Sequence, residues 1–237
     1  MSLSSASQFK SYPQDECNQF LAELLDDPAN YENIMEAYIA RIITRLTYGD
    51  VRHWKDVIWH SHNLLLAISP AAHLSNIIPQ LRHLPMWLSP WKRAEQKRHD
   101  IEREFFLRMA SVVQNDIKAG VAQPSFMLSF LEEQGGSGMD AHEGAYLVGM
   151  MALAGPLTAA SAMMTYVLAM CLYPQWQAKV QHEIDTVVGD RPVQFDDSPR
   201  LPVLRAVIKE IIRWRPVTPS SRFSKPSTFV KDIEPRD

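Results

Sequence analysis

Two short constellations in this 237-residue chain have the residue types and spacing for chemistry. The first is Ala154-Gly155-Pro156-Leu157-Thr158, a small pair followed at helical spacing by a hydroxyl. Pro156 removes one backbone donor and crowds the carbonyl of Ala152, which predicts a kink and a local groove. Gly155 would let a flat ligand approach the backbone closely, and Thr158 would aim a hydroxyl into an otherwise dry site. The same residues also read as a plain bend in which Thr158 bonds back to the carbonyl of Ala154. The second constellation is Glu210-Ile211-Ile212-Arg213. Its two charges fall on one face of a helix, close enough to pair and to present a fork to a third group. Taken alone, such a pair also reads as a solvent-exposed salt bridge of little energetic weight.

Other reactive residues carry less. Cys17 and Cys171 are the only cysteines, too few for a disulfide framework or a zinc cluster, and a reducing compartment is the natural reading. Cys17 sits in an acidic polar stretch and Cys171 in an apolar one. His60-Ser61-His62 sends its two imidazoles in different directions on a helix, so no metal site is expected there. Lys92, Arg93, Lys97, Arg98 and His99 read as a solvated helix face, with contact to anionic lipid as the alternative. No Ser/His/Asp arrangement and no phosphate-binding glycine loop appears. A formal charge of -3, with 24 Lys+Arg against 27 Asp+Glu, gives no basic field for nucleic acid.

The elements that must position these residues are helices. With 46% hydrophobic and 22% charged residues the chain can bury a sizeable core. Its 16 prolines fall between runs of helical periodicity, so the fold class is mostly α with little or no β. Apolar spacing predicts helices over 16–25, 31–48, 56–66, 91–118 and 125–133, with a broken connector over 69–90. Gly49 and Gly120 are read as stops, and Gln134-Gly135-Gly136-Ser137-Gly138 as the most flexible segment. Nothing in the first ten residues reads as a signal peptide or an N-terminal anchor.

From Gly144 to Ala178 no residue is charged. About 20 mainly apolar residues suffice to cross a bilayer, so a single-pass span over 146–173 is one reading. A central helix buried on all sides of an α domain is the other, favoured by Gly149, Gly155, Thr158, Ser161 and Thr165.

The order of features then resembles one family. The uncharged helix with Ala154-Gly155-Pro156-Leu157-Thr158 resembles the long central helix of cytochrome P-450 heme-thiolate monooxygenases, which carries a small-Gly-x-acid-Thr pattern over the heme. Leu172 to Gly189, starting at Pro174 and carrying Glu183-Ile184-Asp185, is similar to the family's next helix, and Leu201 to Pro216 is similar to its Glu-x-x-Arg helix. Leu24 to Gly49 and Leu84 to Arg93 resemble fungal members, the latter stretch lying near the substrate channel and membrane surface.

The resemblance implies a heme cofactor, with Ala154, Gly155 and Thr158 over it and Thr158 supporting oxygen activation. Glu210 and Arg213 would lock the heme-side scaffold. Leu157 stands where the family has Asp or Glu, and a leucine relays no proton. The implied activity is insertion of one oxygen atom into a small organic substrate, in fungal secondary metabolism. The implied partner is a flavoprotein NADPH reductase, and the implied place is the endoplasmic reticulum membrane; with no anchor visible, the chain itself is expected to be cytoplasmic or membrane-associated. The likeness runs to Pro219, giving a partial domain over 1–219 and a divergent tail over 220–237. The family's Phe-Gly-Arg-Cys-Gly loop, which ligates the iron, would lie beyond that point, and neither Cys17 nor Cys171 has its glycine and arginine neighbours. The expectation is an internal fragment without a metal ligand, catalytically inactive by itself.

Overall fold

The computed structural model describes residues 9, 11–69, 78–133 and 138–217. Among these there are eight α-helices, a few 3₁₀ turns and no strands. They are α1 (Ser11–Asp26), α2 (Tyr31–Tyr48), α3 (Trp54–Ile68), α4 (Pro90–Lys118), α5 (Phe126–Glu133), α6 (Ala141–Leu172), α7 (Pro174–Val187) and α8 (Pro202–Trp214). The mostly α fold class is therefore what the structure has. Residues 134–137 and the expected tail over 220–237 lie outside the described residues.

Local chemistry sets most helix ends. Gly49 adopts φ 89°, which an L side chain rarely tolerates, and its N–H closes α2 on the carbonyl of Arg45 at 2.8 Å. The Ser125 hydroxyl accepts the N–H of Leu128 at 3.1 Å and so starts α5. Asp140 and Glu143 exchange side-chain to backbone bonds at 2.8 and 3.1 Å, which moves the start of α6 ahead of the uncharged run. That run is not one helix. It breaks at Tyr173, and Pro174 opens α7, a position where the missing N–H costs nothing.

The chain divides into two compact units, Met1–Ala160 and Ser161–Asp237, with α6 contributing to both. In the first unit, Phe105, Phe106, Met109 and Val113 of α4 meet Ala145, Val148, Ala152 and Leu153 of α6, with Tyr48, Val57 and Met127 closing the core. Small residues on α6 let the aromatic side chains of its neighbours come close. A β-carbon at Gly149 would fall 2.3 Å from the Phe106 ring, and one at Gly144 would fall 1.9 Å from Phe130.

Alongside this core, α1 is pinned to α2 by charge. Arg41 is almost wholly buried and donates to both oxygens of Glu23 at 3.1 Å. Its Nε lies 3.1 Å from Glu16 Oε2, near enough for charge attraction but outside hydrogen-bond geometry. Arg45 adds a 3.0 Å pair with Asp15 and lies 4.2 Å over the Tyr12 ring, whose hydroxyl donates to the Pro124 carbonyl at 2.8 Å.

The second unit is smaller. Ala169 and Met170 of α6, Val180 of α7, and Val207 and Ile211 of α8 form its core, with Tyr166, Ile184, Val203 and Leu204 against it. Between α7 and α8 a 3₁₀ turn over Phe195–Arg200 is organised by the buried carboxylate of Asp197.

Candidate functional site

The expected site residues on α6 do not all face the same way. Ala154 and Thr158 are exposed in their unit, and they continue a strip at spacings of three and four through Met151 and Leu147. Leu147 is 51% exposed, Met151 43% and Met150 beside it 39%. No charge interrupts this strip. The opposite side of the same helix is shut, with Ala145, Val148, Ala152 and Leu153 in the core and Pro156 fully buried. A helix buried on all sides was one expectation; α6 instead has one packed side and one open side within the unit.

Gly155 belongs to the packed side. A β-carbon there would lie 2.8 Å from Cδ1 of Ile43 on α2, so the glycine serves close helix packing where a ligand approach was expected. The proline's effect is also milder than predicted. Pro156 supplies no N–H for the Ala152 carbonyl, yet α6 runs as one helix through it. Thr158 Oγ1 donates to the carbonyls of Ala154 at 2.8 Å and Gly155 at 3.0 Å, which is the back-bonded arrangement. Leu157 is half-buried and carries nothing to titrate.

Glu210 and Arg213 meet as their spacing required. Arg213 Nε donates to Glu210 Oε2 at 2.8 Å, and Nη2 makes a short second bond to Oε1, giving a forked pair. Both side chains are more than half exposed. The Arg213 hydrogen bonds hold the Glu210 carboxyl below the usual carboxylate range, so the pair is ionised at neutral pH. Within their unit the two side chains retain free edges for a third group.

Several of the remaining reactive residues have local partners. His60 is buried, stacked on Phe105 with ring centres 4.3 Å apart, whereas His62 lies 3.1 Å from the Ile58 carbonyl and 3.5 Å from Glu36. Lys92 donates to the Leu84 carbonyl at 2.6 Å, and Arg98 pairs with Glu95 and Glu102. Cys17 is half-buried on α1, and Cys171 is exposed in the last turn of α6. Sequence reasoning missed the Glu183 carboxylate, which accepts the N–H groups of Val203 and Leu204. A signal for it existed: the α8 start, Leu201-Pro202, has no Ser, Thr, Asp or Asn to cap it.

These residues fit one side of a flat, mainly apolar group such as a porphyrin. The open strip offers two small residues, Ala154 and Thr158, bordered by flexible Met150 and Met151, so a planar ring could lie against it without meeting a charge.

Comparison with known proteins agrees. The family model for cytochrome P-450 matches residues 16–232, continuing past Pro219 into the stretch expected to diverge. Cytochrome P-450 monooxygenase 58 of Postia placenta is 30% identical over 227 residues, covering 92% of this chain and 43% of the relative. The monooxygenase iboC of Amanita muscaria is 36% identical over 154 residues, 65% of this chain and 28% of the relative. A solved zebrafish cytochrome P-450 with progesterone superposes with a TM-score of 0.66 at 21% identity, over 91% of this chain and 50% of that one. The chain thus spans about half or less of the lengths it matches. With helices of the right order, the small-Gly-x-x-Thr segment on one and the Glu-x-x-Arg pair on another, the chain belongs to the cytochrome P-450 family.

Proposed function

We propose that the chain contributes the oxygen-side helix and the Glu-x-x-Arg helix of a heme-dependent monooxygenase, which inserts one oxygen atom into a small organic substrate. Fungal secondary metabolism is the setting we infer, with electrons from a flavoprotein NADPH reductase at the endoplasmic reticulum membrane. The observation that carries this reading is the division of α6 into a packed side and an uncharged open strip holding Ala154 and Thr158. The strip carries no charge and holds two small residues, which suits a flat apolar ligand.

Heme, when bound, supplies the iron at which dioxygen is activated. The chain's own residues do the rest of what is argued here. Ala154 keeps the strip flat, and the packing of Gly155 on Ile43 holds that stretch of α6 in place. Thr158 keeps its hydroxyl on the carbonyls of Ala154 and Gly155, and rotation about its Cα–Cβ bond would turn that O–H towards a ligand on the strip. Because Leu157 holds no proton, one required there must arrive through water. The forked Glu210–Arg213 pair would lock the scaffold of its own unit.

A single-pass span is the rival reading. α6 is long and apolar enough, with a mean hydropathy of 1.6 over its most apolar window. Against it stands the packing of Ala145, Val148, Ala152 and Leu153 on Phe105 and Phe106, which uses α6 as a core helix.

Hemin titration of the purified chain tests the proposal. Tryptophan quenching should show binding that Ala154→Phe and Thr158→Phe weaken at least tenfold while Ser111→Phe, on an exposed face of α4, leaves it unchanged. Because neither cysteine has the expected neighbours, carbon monoxide should produce no thiolate-type Soret band. Equal binding by all three variants would remove the strip from consideration, and a thiolate-type band would refute the reading of the cysteines.

A further inference from the structure

The first turn of α8 has an unusual arrangement of donors. A helix start leaves backbone N–H groups that need acceptors from outside the helix. In α8 the N-cap residue, Leu201, has a side chain that can accept nothing, and Pro202 at the first helical position has no N–H to satisfy. Arg205 N donates to the Leu201 carbonyl at 3.1 Å. The two donors left over, Val203 N and Leu204 N, both go to one carboxylate on another helix: Glu183 Oε1 accepts the first at 2.8 Å and Oε2 the second at 2.9 Å. One side chain of α7 therefore does for α8 what its own N-cap cannot. The full negative charge also sits at the positive end of the helix dipole.

We propose that Glu183 is a positioning residue for Glu210 and Arg213, a role resting on the reading of α8 as the heme-side scaffold helix. Two oxygens on two successive amides fix both the height of α8 along its axis and its rotation, which a single hydrogen bond would leave free. Val207 and Ile211, packed on Ala169, Met170 and Val180, hold the middle of the helix, but apolar contacts tolerate sliding. At its far end, among the described residues, the edge-to-face contact of Trp214 with Tyr173, 6.4 Å between ring centres, adds direction. Glu210 and Arg213 stand on an exposed flank of the same rigid helix, so an error at its first turn is carried to them. Asp197 supports the approach to this turn. It accepts from Arg191 at 2.6 and 2.8 Å, from the Gln194 N–H at 2.9 Å, and from Arg200, which shapes the loop that delivers Leu201.

The test needs no heme, so its failure and the failure of the heme reading are separable. Glu183→Ala and Glu183→Gln are made in the whole 237-residue chain, and amide exchange at Val203 and Leu204 is followed together with the Arg213 Nε–H resonance. Glu183→Ala should speed exchange at both amides about tenfold and shift the Arg213 signal. Glu183→Gln retains one acceptor oxygen, so it should free one amide and give an intermediate shift; it is the decisive variant should the alanine form fail to fold. Faster exchange with the Arg213 signal unmoved would reduce Glu183 to a local cap and overturn the proposal. Unchanged exchange at both amides would overturn it at the first step.

Discussion

Gly149 lies directly beneath the Phe106 ring, so closely that a β-carbon would come 2.3 Å from Phe106 Cδ1. Phe106 is fully buried in the core of the first unit and has nowhere to retreat. Gly149→Ala should therefore destabilise this unit by about 2 kcal/mol, the overpacking strain exceeding the gain in helix propensity. Gly155→Ala would come 2.8 Å from Cδ1 and 2.9 Å from Cγ1 of half-buried Ile43, whose whole side chain must turn to make room, so its net cost should be about 1 kcal/mol. Urea midpoints of the two variants check the order; equal losses would mean that the two contacts are equally forgiving.

This contrast shows which parts of the structure were legible in the sequence. α2 could be bounded at Tyr31 and Tyr48 because apolar spacing and the Gly49 stop both act within a few residues. The pairing of Glu210 with Arg213 was legible for the same reason. The partner of Gly155 was not, because Ile43 is more than a hundred residues away and nothing in either segment specifies the meeting. Composition marked α6 as apolar without telling which side would pack. The two sides differ in what covers them: Phe105 and Phe106 pack on one, while Leu147 and Met151 on the other stay 51% and 43% exposed.

Acid should weaken the first unit through His60. Burial against Phe105 lowers its pKa to about 4; nearby Asp56 opposes this, while Arg108 and Arg98 reinforce it. The imidazole is neutral in the folded chain at pH values where the unfolded chain already binds a proton, so the folded state loses ground as pH falls from about 6.5 to about 4. Full development should amount to about 2–3 kcal/mol, with no further contribution from this residue below that window. His60→Phe should flatten the profile between those limits. A variant as pH-sensitive as the parent would assign the effect elsewhere.

Tyr48 has a hydroxyl with no hydrogen-bond partner among the described residues, although its side chain is buried in the core. Burial holds that hydroxyl strongly in its neutral form. An unpaired buried polar group subtracts stability, so Tyr48→Phe should stabilise the chain by about 1 kcal/mol. A thermal midpoint that falls instead of rising would show that the hydroxyl has an acceptor in solution.

In the second unit, Asp197 accepts from Arg191, Arg200 and the backbone of Gln194, and these donors hold its carboxyl well below the usual range. A depressed carboxylate contributes stability that is complete above the unfolded value, near pH 4, and is lost as pH falls towards the folded one. Asp197→Asn should lower the unfolding midpoint at neutral pH and remove that acid-side decline. A parent-like profile in the variant would show that the ion pairs are too exposed to matter.

Thr158 separates architecture from chemistry. Its side chain is exposed in its unit, and among the described residues its hydroxyl bonds to carbonyls of its own helix, an arrangement that adds nothing to packing. Thr158→Ala should therefore change the stability of the chain by less than about 0.5 kcal/mol. Thr158→Phe should be equally mild, because its bulk would project from the open strip and not into the core, while occupying the space a planar ligand needs. Bulk that leaves folding intact and still abolishes ligand binding is the signature of an open site. If both substitutions instead unfold the protein by several kcal/mol, the strip is a buried surface of the fold and Thr158 has a structural duty in place of the chemical one proposed for it.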